Sequence, residues 1–199
     1  MAITADMVKT LREKTGVGMM ECKKALQETE GDIEKAQEFL RKKGLADASK
    51  RSSRSTSEGI IESYIHVGSQ IGVMLEINSE TDFVARNDQF KSLARDIAMH
   101  IAASAPLYVS KEEVPAELIE KEKEILLAQP DMASKPEAVR EKIIVGRIEK
   151  FYESVCLLNQ AFIKDPNQKV EDIIKTAIST IGENIQVRRF VRFSVGEDL

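Results

Sequence analysis

Two cysteines and two histidines are the side chains of this 199-residue sequence best suited to nucleophilic, metal or acid–base chemistry, and no two of them stand at a working spacing. Cys22 and Cys156 lie far apart, without Cys-x-x-Cys or Cys/His spacing, and read as small apolar residues of a reducing compartment. His66 falls in an alternating strand pattern. His100 stands three residues after Ile97 and seven after Leu93, at the border of a helical apolar face. Two readings of His100 stand: a structural histidine satisfied by a neighbour, or a contact to a partner. The sequence contains no phosphate-binding glycine loop, metal-ligand spacing or nucleophile elbow. An enzyme would have to work with acids alone, and no carboxylate pair stands out from the surface charge. The expectation is a protein without catalytic residues, metal or cofactor.

The most informative stretch is Glu80-Thr81-Asp82-Phe83-Val84-Ala85-Arg86. It joins an alternating strand to an amphipathic helix, where small turn residues are the usual choice. Here a carboxylate and a phenyl ring stand side by side instead. In one reading they are an interface anchor presented on a rigid scaffold. In the other, Phe83 folds back as a plug under the sheet and Asp82 caps a turn.

Composition narrows the classes. With 42% hydrophobic residues, the chain supports one moderate core plus a small satellite. The net charge is −4, unevenly spread: 12 basic against 9 acidic residues in 1–57 leave +3, and 17 against 24 thereafter leave −7. Neither segment has the basic excess of a protein that holds nucleic acid by bulk charge. The run Arg188-Arg189-Phe190-Val191-Arg192-Phe193 interleaves arginines with aromatics, as a base-stacking strand would. Its Val191 and Phe193 are needed inside, however, and surface acids suit its arginines. No apolar run approaches the ~18 residues that span a bilayer, and no targeting segment precedes the first helix pattern. The expectation is a cytoplasmic protein without nucleic-acid or membrane partners.

The elements that position these residues follow from periodicity. Residues 1–44 read as three short helices, capped by Thr4 and Asp32, with Gly16 and Gly44 closing the first and third. Met19, Cys22, Ala25 and Leu26 line one face of the second, and Ile33, Ala36, Phe39 and Leu40 lie inside in the third. Met19 and Met20 are adjacent and cannot face one core together, so one is exposed or each packs on different neighbours. Residues 45–57 are basic, serine-rich and without hydrophobic period, and read as a linker. From residue 58 the period becomes two: a strand through Ile61 and Ile65, a turn at Gly68-Ser69-Gln70, and a strand with Ile71, Val73, Leu75 and Ile77 on one face. Asp88 caps a helix with Phe90, Leu93, Ala94, Ile97, Ala98 and Ile101 at helical spacing. Residues 110–155 form a helical hairpin broken at Pro130, with capping boxes at Ser110/Glu113 and Ser134/Glu137. A further helix carries Val170, Ile174 and Ile178, and a strand from Ile185 to Val195 ends the pattern. The expected fold class is α+β. A three-helix unit (1–44) and a linker (45–57) precede a core domain (58–199) with a three-stranded antiparallel sheet covered by helices.

Four segments, in order along the chain, resemble the elongation factor Ts family. They are Thr15-Gly16-Val17-Gly18-Met19-Met20-Glu21-Cys22-Lys23-Lys24-Ala25-Leu26, then Thr81-Asp82-Phe83-Val84, then Leu157 to Ile163 (with Ala161 where proline is expected), and Asn184 to Gly196. The resemblance implies a bacterial-type guanine-nucleotide exchange factor for elongation factor Tu. It implies a ubiquitin-associated-like first domain that docks on the GTPase, with Val17, Met19, Met20 and Lys23 near the contact. It also implies that Asp82 and Phe83, within Thr81–Val84, wedge between helices of the partner and dislocate its Mg²⁺, and that His100 aligns with a family histidine near the partner. Longer family members carry two sheet units; this chain has one, and a homodimer that covers its sheet edges is expected. Competing expectations are an adaptor that binds through the three-helix unit, an RNA-binding module using Arg188 and Arg192, and a hydrolase dependent on His100.

Overall fold

The structure is a computed structural model that describes residues 3–133 and 135–197. In chain order its elements are α1 (Ala5–Thr15), α2 (Met19–Glu28), α3 (Ile33–Arg51), β1 (Glu58–Ile65), β2 (Ile71–Ser79), the four-residue α4 (Asp82–Ala85) and α5 (Asp88–Ser104). They continue with α6 (Ala116–Leu127), α7 (Pro130–Ala133), α8 (Glu137–Val155), β3 (Ala161–Phe162), β4 (Asp165–Lys169), α9 (Val170–Ile181) and β5 (Ile185–Ser194). Two compact units share the chain. The first comprises the residues up to Glu62, Glu76–Arg95 and Asp172–Val187; the second comprises Ser63–Leu75, Asp96–Glu171 and the residues from Arg188 onward.

Local chemistry sets the ends of the first helices. Thr4 Oγ1 accepts the Met7 N–H at 3.3 Å and Asp32 Oδ1 the Lys35 N–H at 3.0 Å, satisfying donors that a first turn leaves free. α1 stops where Gly16 takes the left-handed conformation, φ 68°, and returns its N–H to Arg12. Val8, Leu11, Cys22, Ala25, Leu26, Ala36 and Leu40 form the small core of these helices.

Gly44 does not end the third helix, as its residue type suggests; α3 runs on to Arg51. A Cβ at Gly44 would lie 2.6 Å from Ser179 Oγ and 3.0 Å from Ser179 Cβ, so this glycine serves the close approach of α9. The stretch read as a linker is therefore helical through Arg51. Phe39 is exposed rather than inside.

β1, β2 and β5 form the expected antiparallel three-stranded sheet, in the order β1-β2-β5. Val73, Leu75 and Ile77 are buried as the alternation of β2 predicts. β5 departs from simple alternation, because Arg188 and Arg189 are both exposed and the phase slips by one residue. Phe190 and Arg192 consequently turn inward, and Val191 and Phe193, expected inside, turn outward. Arg192 is accommodated because its Nε donates to the Ala102 carbonyl at 3.3 Å and its Nη1 meets Glu197 at 2.8 Å.

α6 and α8 pack on each other as the helical hairpin requires. Pro130 opens α7 rather than continuing α6. The expected Ser110/Glu113 capping box does not form: Glu113 accepts the N–H of Val109 at 2.8 Å, and Ser110 makes no side-chain capping bond; the Ser134/Glu137 box lies outside the described residues. α5 is capped by Asn87, whose Oδ1 accepts the Gln89 N–H at 2.7 Å, rather than by Asp88. The antiparallel pair β3–β4 was too short for periodicity to reveal. Among the described residues no helix is long and apolar enough to cross a membrane, and no His/Cys/Asp/Glu group is placed to hold a metal ion.

Candidate functional site

β2 ends at Ser79, and the chain turns at once into α4. Thr81 is the N-cap: its φ of −129° and ψ of 158° are extended, and its hydroxyl oxygen accepts the Val84 N–H at 3.5 Å. Successive helical side chains point about 100° apart, so the two that anchor α4 leave the others outside. Val84 and Ala85 are buried, and Phe83 is 79% exposed. The plug reading of Phe83 thus fails on geometry. Leaving such a ring in water forgoes roughly 1.5–3 kcal/mol of burial. Asp82 sits at the positive N-terminal end of α4, and its carboxylate pairs with Arg86 at 2.9 Å. The pair is exposed and contributes little to stability. Its Asp82 is free to exchange Arg86 for another donor.

A second exposed apolar patch lies on the three-helix unit. Met19 and Met20 open α2 at 47% and 67% exposure. Met19, expected on the inward face of α2, lies outside it like Met20, because Cys22, Ala25 and Leu26 take the inward positions at the core. Val17 packs partly against that core, and Lys23 stands exposed beside the methionines. Glu21 ties α2 to α3 by pairing with Lys43. That hydrogen bond holds the Glu21 carboxyl below its usual range and raises Lys43.

His100 is elsewhere, fully buried in the second unit. Its Nδ1 accepts the Ile163 N–H at 3.2 Å. The ring proton therefore sits on Nε2 and is donated to Gln160 Oε1 at 3.0 Å. Gln160 is oriented by its own Nε2, which donates to the Ser154 carbonyl at 3.0 Å. Burial pushes the His100 pKa below the ordinary histidine value, and the Gln160 hydrogen bond only partly opposes it. Of the two readings, the geometry is that of the structural one: this ring holds β3 to α5.

The structure brings Thr81, Asp82, Phe83 and Val84 together on one turn, and Met19, Met20 and Lys23 on one helix end. It also adds residues the sequence reading left without a role. Glu80, Glu183 and Asn184 surround the start of α4, with Thr81 donating both its N–H and its hydroxyl to Glu183. No local pattern signals a contact across 102 residues.

Comparison with known proteins places the whole chain in one family. The family described as "Elongation factor TS" matches residues 5–197. Elongation factor Ts of Thermodesulfovibrio yellowstonii is 60% identical over 197 residues, covering 99% of this chain and 98% of the relative. Elongation factor Ts of Desulforamulus reducens is 60% identical over 197 residues, covering 99% and 91%. That of Geobacter sulfurreducens is 57% identical over 199 residues, covering 100% and 92%. With the family match spanning residues 5–197 and relatives 57–60% identical over 99–100% of its length, the chain belongs to the elongation factor Ts family.

Proposed function

We propose that this protein is a cytoplasmic guanine-nucleotide exchange factor that binds elongation factor Tu in its GDP form and speeds GDP release. The observation that carries the reading is Phe83, a large ring held 79% exposed on a capped turn whose neighbours Val84 and Ala85 are buried. A ring so placed enters a partner with little loss of backbone freedom, because the backbone is already ordered. In a GTPase, GDP is held by backbone donors and by Mg²⁺ with its oriented ligands. Phe83 pushed between two helices of the partner shifts the groups that orient those ligands. Such disturbance typically costs about 10–100-fold in metal affinity, and loss of the ion loosens the diphosphate. Asp82 supplies a directional acceptor beside the ring. Val17, Met19, Met20 and Lys23 supply affinity and orientation, flexible methionines being suited to a binding surface. By reciprocity, GDP weakens the partner's hold on this protein by the same factor. No bond is made or broken by the factor itself.

The protein also acts as a homodimer in this reading. In the second unit, Ile65, Met74, Val191 and Phe193 all face outward from the sheet, and Val67 and Val195 are exposed just past the strand ends. An apolar face of this kind is suited to a second copy of itself, since a two-fold interface pairs like with like.

The test is release of fluorescent GDP from elongation factor Tu, with the intact protein and with its Asp82→Ala/Phe83→Ala variant. The intact protein accelerates release, and the folded variant loses most of that acceleration. No acceleration by the intact protein overturns the reading. Acceleration that survives in the variant moves the mechanism to the Met19/Met20 surface.

A further inference from the structure

Two turns distant in sequence hold each other by a reciprocal exchange of carboxylates. Glu183, in the turn between α9 and β5, takes the Thr81 N–H on Oε2 at 3.0 Å and the Thr81 hydroxyl on Oε1 at 2.7 Å. In return Glu80 Oε1 takes the backbone N–H of Asn184 at 2.6 Å. The buried Asn184 then sends its side-chain Nδ2 to the Arg54 carbonyl at 2.8 Å and the Ser52 carbonyl at 3.3 Å. Ser79, also buried, donates its hydroxyl to the Thr81 carbonyl at 3.0 Å. Thr81 is thereby held at its amide, its hydroxyl and its carbonyl.

The consequence is directional. A threonine hydroxyl has one proton to give. Glu183 takes that proton and so turns an oxygen lone pair toward the Val84 N–H, the capping bond that starts α4. A helix of four residues has almost no stability of its own, because nucleation is the costly step. The heading of α4, and so of Phe83, is therefore set by what grips Thr81. Bonds from backbone N–H and hydroxyl donors to a carboxylate are the strong class of hydrogen bond, which suits them to that task.

We propose that Glu183 is a positioning residue for nucleotide exchange, aiming the Phe83 ring through Thr81 while touching neither the partner nor the nucleotide. The inference rests on the exchange reading above. Without the grip, the ring stays exposed but samples many headings. Only the fraction that points correctly is competent to wedge, and the maximal rate falls to that fraction of its value. Docking through Met19 and Met20 is untouched.

The experiment measures GDP release from elongation factor Tu across a range of factor concentrations, for the intact protein, Glu183→Ala, Glu183→Gln, Phe83→Ala and Glu183→Ala/Phe83→Ala. Thermal unfolding of each variant is followed alongside. Glu183→Ala lowers the maximal rate about 10- to 100-fold, the scale of a ring misplaced by an ångström, with little change in the half-saturating concentration. Glu183→Gln, which keeps an oxygen for the Thr81 N–H, recovers part of the rate. In the Phe83→Ala background, Glu183→Ala costs nothing further, since there is no ring left to aim. Equal losses in both backgrounds, or an unchanged maximal rate in a folded Glu183→Ala protein, overturn the proposal. Should Glu183→Ala fail to fold, Thr81→Val removes the same hydroxyl bond and is held to the same outcomes. An intact protein that does not accelerate release overturns the exchange reading itself, a result distinct from any of these.

Discussion

At the scale of single residues, the molecule separates rings it hides from rings it shows. Phe90 and His100 are wholly buried, while Phe83 stands in water seven positions before Phe90. Replacing Phe83 by alanine removes no core contact, so the unfolding free energy changes by only about 0.5 kcal/mol while exchange drops. His100 makes the opposite case. Its folded pKa lies below the unfolded value near 6.5, because burial disfavours the charged ring and Nδ1 already accepts a proton donor. The unfolded chain therefore binds more protons in the window below that value. Stability is fully present above it and is lost as pH falls through it. The melting temperature should drop between about pH 7.5 and about pH 5.5, and His100→Gln should flatten that dependence in calorimetry. The lowered carboxyls of Glu21, Asp32, Glu38 and Glu112 act at lower pH, below their ordinary values of 3.8 to 4.5, and leave this window to the histidine.

At the scale of elements, α3 and α9 meet where side chains are smallest. Gly44 in α3 faces Ser179 in α9, and Ala48 one turn later is also buried. Alanine is ordinarily the better helix former by about 1 kcal/mol. At Gly44, however, the added methyl group must displace Ser179, and overpacking of this kind costs about 1–3 kcal/mol. Gly44→Ala should therefore destabilise the protein in denaturant melts. A second change, Ser179→Gly, should restore much of the loss by vacating the space. Melts in which Gly44→Ala alone stabilises the protein would show that the two helices yield easily.

At the scale of the whole molecule, each unit carries apolar side chains that its own chain leaves uncovered. In the first these include Phe83 on its turn and the methionines of α2; in the second they include the outward sheet face around Phe193. The dimer proposal is a statement about the second. Phe193→Asp places a charge on that face and should shift the mass measured by light scattering from two chains to one. The melting profile of a folded chain should survive, since Phe193 is 54% exposed in the monomer. An unchanged mass would move the dimer contact elsewhere or remove it.

Periodicity alone determined the types of the longer elements, the inward faces of β2, α5 and α9, and the caps at Thr4 and Asp32, because these depend on neighbours within a turn or a pleat; it missed the short β3–β4 pair and the end of α3. The resemblance carried by residues 15–26 and 81–84 was equally local, since a motif is read from consecutive letters. What only tertiary structure decided depends on contacts between distant residues. Gly44 looks like a helix stop until Ser179 is seen against it. Val191 and Phe193 look like core until the slip at Arg188 and Arg189 reverses the face of β5. Glu183 looks like one surface acid among many, until Thr81 closes on it across 102 residues. Side-chain direction in a short turn is set by such long-range grips, and a sequence read in windows does not contain them.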